Sequence, residues 1–290
     1  MKVLVTGSEG QLAREINQLK IEGLNNEYEF FFFNKQEWDI TNEALSNQLI
    51  NHIQPNILIN TAAYTKVDQA EIDKDLCFNI NSKAPALLAR ICKPRDIKFF
   101  HFSSDYVFNG QNQNEILFED SPKNPKGIYA ESKSLAENLI IDANPEAIII
   151  RSSWIYSSFG NNFVKTMLRL AKEKTEIRVV NDQIGSPTYA FDLAKLVFNM
   201  ISSIAKNKKD IVGLYHYSNE GSTSWFDFAS EIFLQRGVRT TLIPISTLEF
   251  NSPAPRPAYS VLNCNKIKLA LKIEIPFWKD SLKKCLQKLQ

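Results

Sequence analysis

The sequence predicts an α/β protein: a doubly wound parallel sheet covered by helices, followed by a smaller C-terminal part. Three observations carry this. Short apolar runs alternate with helical stretches through the first half. Those runs are apolar on both faces, as strands are when helices cover the sheet on either side. A glycine turn separates the first run from the first helical stretch. At 290 residues, with 44% hydrophobic and 23% charged residues, the chain fits one large domain or two small ones. Disordered, collagen-like and coiled-coil chains are excluded by the same figures.

The elements follow in order. Lys2–Thr6 (KVLVT) reads as a short strand rich in β-branched residues, and the turn after it opens an amphipathic stretch, Gln11–Lys20. Tyr28–Phe33 reads as a second strand. Asn42–His52 has helical spacing, and Pro55 introduces a third strand over Asn56–Asn60. The spacing predicts one long helix over Asp73–Cys92, kinked at Pro85, because a proline removes a helical hydrogen bond and crowds the carbonyl four residues earlier. Lys98–Ser103 (KFFHFS) is the next predicted strand, Tyr129–Asp142 the next helix and Ala147–Arg151 (AIIIR) the strand after it. Beyond residue 151 the alternation loosens. Asn162–Glu173 and Asp192–Ile204 have helical spacing, and Thr223–Gln235 begins with a capping hydroxyl at Thr223 or Ser224. Ser252–Pro257 (SPAPRP) holds three prolines and reads as irregular.

Composition narrows the function classes. The 34 basic and 32 acidic residues leave a formal charge of +2, and no long block of like charge marks a nucleic-acid surface. Four cysteines without a C-x-x-C pair read as reduced thiols of a cytoplasmic protein. The three histidines are scattered (His52, His101, His216), which argues against a histidine-based zinc site. MKVLVTGSEG breaks into glycine too soon for a secretory signal, and no run approaches the roughly 18 apolar residues of a membrane span. The expectation is a soluble, cytoplasmic protein.

The glycine turn, TGSEGQLARE over residues 6–15, sits where a dinucleotide-binding loop belongs, after the first strand and before the first helix. Gly7 allows the sharp turn, Gly10 lets the backbone approach a diphosphate at the helix N-terminus, and Ala13 takes the third, small position. The spacing is G-x-x-G-x-x-A, and a purely structural turn is its plain alternative. An acidic residue closing the second strand would take the ribose hydroxyls of NAD and repel a 2′-phosphate. Here that strand ends in Asn34–Lys35, and Lys35 or Arg14 would attract the phosphate, so NADPH is favoured, with NADH left open. Asp39 and Ile40 suit the adenine, and the small residues of Asn60–Thr65 (NTAAYT) let the backbone lie against the cofactor.

Tyr129 and Lys133 form Y-x-x-x-K within a predicted helix and so share one face. A lysine ammonium beside a phenol favours the phenolate, bringing the tyrosine value of about 10 toward working pH. A group so tuned can protonate an alkoxide formed by hydride transfer. Two solvated side chains would be the default reading of that spacing alone. Ser103–Ser104–Asp105 changes the balance, because it ends a predicted parallel strand about 25 residues upstream, where ligands bind in open α/β sheets.

The glycine loop, Ser104, Tyr129 and Lys133 in this order resemble the extended short-chain dehydrogenase/reductase superfamily. SSDYVFNG (103–110), YAESKSLAE (129–137), RSSWIYS (151–157), NNFVKTMLRLAKE (161–173), NDQIGSPT (181–188), GLYHYSNEGSTSWFDFA (213–229) and PAPRPAYSVLN (253–263) narrow it. Over nearly the whole chain they are similar to the dTDP-4-dehydrorhamnose reductase family. The resemblance implies a Rossmann-like NADP(H)-binding domain over 1–151, with segments about 180–222 crossing back to it, and a nucleotide-sugar substrate-binding domain mainly over 152–290.

It also implies roles. Gly10, Gln11 and Leu12 would meet the cofactor diphosphate, and Asn34, Asp39, Ile40, Ala63, Tyr64 and Thr65 would line the remaining nucleotide. Ser104, where the family usually has threonine, would touch the substrate carbonyl, and Asp105 would accept from a sugar hydroxyl. Tyr129 would donate the proton, while Lys133 would orient the nicotinamide ribose. Trp154 would pack on the deoxysugar, its plain alternative being a core residue. Asn162 and Arg256 would meet the substrate diphosphate, although Pro255 stands where a paired arginine is common. Some members are described as magnesium-linked dimers, but Phe191 beside Asp192 and the carboxylate-free KKCLQKLQ terminus break that acidic pattern. No metal is therefore expected, and Glu15 reads as a first-turn acid favoured by the helix N-terminus.

The resulting expectation is NADPH-preferring reduction of the 4-keto group of dTDP-4-dehydro-β-L-rhamnose to dTDP-L-rhamnose by a monomer or homodimer. It binds no nucleic acid or membrane, and its product would serve a polysaccharide. The rival readings are an epimerase or dehydratase of nucleotide sugars, which would hold NAD tightly, and a non-catalytic subunit like that of methionine adenosyltransferase.

Overall fold

Six parallel strands form the central sheet of the computed structural model, which describes residues 1–23, 27–108, 115–206 and 211–289. Their order across the sheet is Gly213–His216, Ile148–Ser152, Lys98–Ser104, Ile57–Asn60, Lys2–Thr6 and Glu29–Phe33, and every neighbouring pair is parallel. Successive strand residues point to opposite faces, and both faces here are apolar. Val3, Val5, Ile57, Ile59, Phe100, Phe102, Ile148 and Ile150 belong to one core, under helices Gln11–Ile21 and Ala190–Ala205. Leu4, Leu58, Phe99 and Ile149 belong to the other, under helices Glu43–Ile53, Ala84–Cys92 and Ile128–Ala143. This is the doubly wound arrangement expected from the sequence.

Strand order reverses at Lys2–Thr6, which lies between the second and third strands of the chain. A crevice opens at the carboxyl ends of strands on either side of such a point. Here those ends are joined by side chains. Thr6 Oγ1 donates to Asn60 Oδ1 at 2.7 Å, and Asn60 Nδ2 lies 3.1 Å from His101 Nδ1.

The predicted long helix over 73–92 is three pieces. Lys74–Phe78 is α-helical, Asn79–Lys83 is a π-helical turn, and Ala84–Cys92 resumes the α-helix. The wider π turn contains Asn81, whose carbonyl the Pro85 ring would crowd in a continuous α-helix. The break therefore comes before the proline, as a change of helix type.

A third core lies away from the central sheet. Tyr156, Val164, Met167, Ile177, Val179, Tyr189, Phe228, Ile232, Trp278 and Leu282 pack together. They come from the paired segments Ile155–Tyr156 and Thr188–Tyr189, from helices Phe163–Glu173, Trp225–Arg236 and Trp278–Lys288, and from strand Glu176–Val180, which forms a parallel pair with Thr241–Ile245. Sequence patterning did not predict that pair. Pro244 is tolerated in it because a two-stranded sheet consists only of edges. Of the two capping candidates at residue 223 or 224, Ser224 is the cap, its Oγ accepting from Asp227 N at 2.9 Å. No helix among the described residues is long and apolar enough to cross a membrane.

Candidate active site

The glycine loop has the shape of a diphosphate seat. Gly7 has φ +67°, and a Cβ there would lie 2.8 Å from both N and Cα of Ala62. Only glycine permits that turn and that approach together. Gly10 N donates to Gly7 O at 2.9 Å, and no side chain caps the helix that begins at Gln11. Its first amides are thus open to an anion. Leu12 and Ala13 are buried against the sheet, which holds the helix N-terminus at the strand end. A cradle that a Cβ would fill, beside an uncapped helix start, fits a dinucleotide.

The other expected cofactor residues are placed as follows. Asn34 Oδ1 accepts from the amides of Gln36 and Glu37 and so builds the turn after the second strand. Asp39 Oδ1 accepts from Thr41 N and Oγ1, bonds that hold its carboxyl below the ordinary value. Ile40 is buried with Trp38. Ala63 is half-buried and Thr65 exposed. Tyr64 is pinned by Asn81, whose Oδ1 accepts from Tyr64 N at 2.8 Å and whose Nδ2 donates to Tyr64 O at 3.0 Å. Asn81 Nδ2 also donates to Ser132 Oγ at 3.1 Å, and Ser132 Oγ donates to Tyr129 O at 2.7 Å. Asn81 thus ties the segment after the third strand to the start of the Tyr129 helix. Sequence reasoning missed it; the signal was Pro85 four residues on, which forces the π turn that aims this side chain.

Ser104 closes its strand, is nearly buried, and donates from Oγ to Asp105 Oδ1 at 2.9 Å. Tyr129 stands in the first turn of Ile128–Ala143, its hydroxyl facing Ser104, with its ring edge-on to Tyr106 at 5.3 Å. Burial pushes the Tyr129 hydroxyl well above its ordinary value, outweighing the neighbouring Ser104 hydroxyl. This corrects the sequence reading, in which the Lys133 ammonium lowered it. Lys133 shares the helix face, but its Nζ donates to Phe102 O at 2.9 Å, and burial brings Lys133 itself down to about 8. Asp105 is also buried and raised to about 6, chiefly by desolvation, against which the Ser260 and Ser104 hydroxyls work; Ser104 bonds Oδ1, while Oδ2 makes no well-formed hydrogen bond within the protein. A buried, unsatisfied carboxylate oxygen beside Ser104 suits a ligand hydroxyl.

Trp154 has φ +46°, uncommon for a bulky side chain, and its indole stacks on Trp225. Asn162 caps helix Phe163–Glu173, accepting from Lys165 N at 3.1 Å, and donates from Nδ2 to Gln11 Oε1 at 2.9 Å. The structure therefore joins a residue expected at the cofactor to one expected at the substrate. Arg256 forks onto Asp68, with Nη1–Oδ1 3.0 Å and Nη2–Oδ2 2.8 Å. Asn109 and Gly110 of the SSDYVFNG segment lie outside the described residues. Glu15 is corrected too: the helix starts at Gln11, so Glu15 lies in its second turn, fully buried, accepting from Ser157 Oγ. Burial pushes its carboxyl up. Among the described residues no three His, Cys, Asp or Glu side chains group to hold a metal.

Residues 1–290 match the family model described as RmlD substrate binding domain. The chain belongs to that family. It is 41% identical, over 99% of its length and 97% of the relative's, to the spore coat polysaccharide biosynthesis protein SpsK of Bacillus subtilis. It is 37% identical to the dTDP-4-dehydrorhamnose reductase of Aggregatibacter actinomycetemcomitans, covering 97% of each chain. The crystal structure of the dTDP-4-dehydrorhamnose reductase of Bacillus anthracis in complex with NADP superposes with a TM-score of 0.91 at 40% identity, covering 99% of both chains. In this RmlD-type chain the glycine cradle and the Ser104–Tyr129 pair stand at the carboxyl ends of sheet strands, with Lys133 one helical turn beyond Tyr129.

Proposed function

We propose that the chain is a nicotinamide-dependent reductase that converts the 4-keto group of dTDP-4-dehydro-β-L-rhamnose to the hydroxyl of dTDP-L-rhamnose, preferring NADPH. The observation that carries this is the facing pair of Ser104 and Tyr129 at the end of a central parallel strand, in a chain similar over its full length to named reductases of this substrate. Bound in the cradle of Gly7 and Gly10, the cofactor would supply the hydride. The protein's own part is proton delivery and orientation.

Tyr129 is the proton donor. Its raised value keeps the hydroxyl protonated at neutral pH, and its position facing Ser104 would aim it at a carbonyl oxygen lodged between the two. As negative charge grows on that oxygen, both hydroxyls stabilise it within a water-poor site. Lys133, nearly buried and one helical turn away, would bind the nicotinamide ribose and contribute positive charge. Asp105 Oδ2 would accept from a sugar hydroxyl, and the Trp154 indole would border the deoxysugar. Asn162 and Arg256 would take the diphosphate, Arg256 by leaving Asp68. Lys35 and Arg14, both exposed, would favour the 2′-phosphate of NADPH over NADH. The division of labour follows the cores: residues 1–151, with the returning helix and edge strand, hold the cofactor, and the third core carries the substrate side.

The test is loss of NADPH absorbance with enzymatically generated dTDP-4-dehydrorhamnose, run beside NADH. Stoichiometric dTDP-rhamnose is expected, and Tyr129→Phe should lower kcat by about 10²–10⁴-fold while cofactor binding persists. Wild-type turnover in that variant would overturn the proton-donor role. Absence of oxidation in folded, cofactor-binding protein would overturn the substrate.

A further inference from the structure

Helix Ile128–Ala143 carries Tyr129, Lys133 and Glu137 at successive turns of one face. Glu137 is 1% exposed, and three other segments converge on its carboxylate. Arg151, from strand Ile148–Ser152, forks onto it with Nε–Oε1 2.8 Å and Nη2–Oε2 2.7 Å. Ser103, the residue before Ser104, donates to Oε1 at 2.6 Å. Lys123, on the segment leading into the helix, donates to Oε2 at 3.2 Å and also holds Ser134 O and Asn138 Oδ1. Arg151 is itself enclosed: its Nη1 donates to Glu119 O at 3.1 Å and lies 3.2 Å from His216 Nε2, and its guanidinium sits 4.8 Å from the Phe108 ring centroid.

Such a pair needs a reason. Removing two charges from water costs several kcal/mol each, and apolar replacements are often as stable. What apolar residues would not supply is a fixed register and a negative charge one helical turn from Lys133. We propose that Glu137 is a positioning residue for the reduction: through Arg151, Ser103 and Lys123 it fixes the helix bearing Tyr129 and Lys133 against the strand bearing Ser104, and its carboxylate sustains the ammonium of Lys133.

This rests on the reading of Tyr129 and Lys133 given above. The surroundings of Lys133 support it. Among the described residues the titratable groups facing Lys133 are Cys77 from helix Lys74–Phe78, His101 from strand Lys98–Ser104, and, on its own helix, Glu137 and Tyr129, the latter kept uncharged by burial. Burial pushes the Cys77 thiol up, so it is uncharged at neutral pH, and burial likewise keeps His101 neutral. Burial also opposes ionisation of Glu137, but the Arg151 pair overcomes it and holds the carboxyl below its ordinary value. Glu137 is then the group that opposes the desolvation of Lys133 at neutral pH.

The test is the pH dependence of kcat at saturating cofactor. Glu137→Leu with Arg151→Met removes the pair without stranding either charge. Its alkaline limb is expected to begin about one pH unit lower than in wild type, whereas Glu137→Asp should keep the wild-type limb. A lower kcat with an unmoved limb in the double variant would overturn the role toward Lys133 and leave Glu137 a packing anchor. Should the double variant not fold, Ser103→Ala keeps the ion pair and removes one bond to Oε1. It is expected to lower kcat several-fold with the cofactor KM unchanged, and an unchanged kcat would overturn the positioning. Failure of the underlying reading looks different: Lys133→Met with wild-type kcat would remove the basis for both arms.

Discussion

The indoles of Trp154 and Trp225 lie face to face, with ring centroids 3.5 Å apart and planes 8° from parallel. Two further features hold Trp154 in place: its positive φ, and Gly185, where a Cβ would come within 2.6 Å of the indole. Phe163 extends the cluster, its ring 4.6 Å from that of Trp225. The proposed sugar-facing side chain is therefore immobilised from behind by a second tryptophan. Trp225→Leu is expected to raise KM for the nucleotide sugar several-fold while cofactor affinity stays put. The lost ring pair alone should cost about 1 kcal/mol of stability. Steady-state kinetics and thermal unfolding check both, and an unchanged KM would free Trp154 from any substrate role.

Gly7 meets two constraints at once, a left-handed backbone and 2.8 Å proximity to the Ala62 backbone. Gly7→Ala should lose about 1–3 kcal/mol through backbone strain. It should also weaken cofactor binding about tenfold or more, read by fluorescence titration. A folded variant with wild-type affinity would show that the diphosphate does not sit on this loop.

Arg256 spends both of its Nη groups on Asp68, and Asp68 Oδ1 also accepts from Ala254 N at 3.2 Å. If the substrate diphosphate takes Arg256, Asp68 is its competitor. Asp68→Asn should then lower KM for the nucleotide sugar, and Arg256→Gln should raise it about tenfold, the scale of one charge-assisted hydrogen bond. Equal increases in KM from both variants would instead mark the pair as a latch that shapes the 252–257 loop.

His216 is fully buried, and burial together with the facing Arg151 brings it down to about 3. Its folded value lies below the unfolded value of about 6.5. The neutral imidazole thus contributes stability above about 6.5, and that contribution drains away as pH falls from there toward 3. In thermal unfolding between about pH 4 and pH 8, wild type should exceed His216→Gln most at the alkaline end, and the gap should close in acid. A gap independent of pH would mean that His216 titrates alike in both states.

Much of the candidate site was legible because its cues are local. Gly7 and Gly10 sit between a β-branched run and an amphipathic one, and Tyr129 and Lys133 are one turn apart in any helix. Ser104 ends a short apolar run that reads as a strand buried on both faces. The pieces that were misread or missed depend on neighbours remote in the chain. Asn81 reaches Tyr64 and Ser132 only because Pro85 turns its helix π-helical. Glu15 falls in the second turn of a helix that starts at Gln11, and its burial against Ser157, 142 residues away, has no local cue.

The sequence by itself determined the alternation of strands and helices, the doubly wound class and the position of the glycine turn. These follow from hydrophobic period and turn chemistry, which act over a few residues. Only the tertiary structure decided where the polar side chains point. Lys133 turns to the Phe102 carbonyl, Arg256 to Asp68 across 188 residues, and Glu137 to Arg151 and Ser103. Each such group, once buried, must find a partner among whatever packing brings within about 3 Å, and that neighbourhood exists only when the sheet and its helices have closed around it.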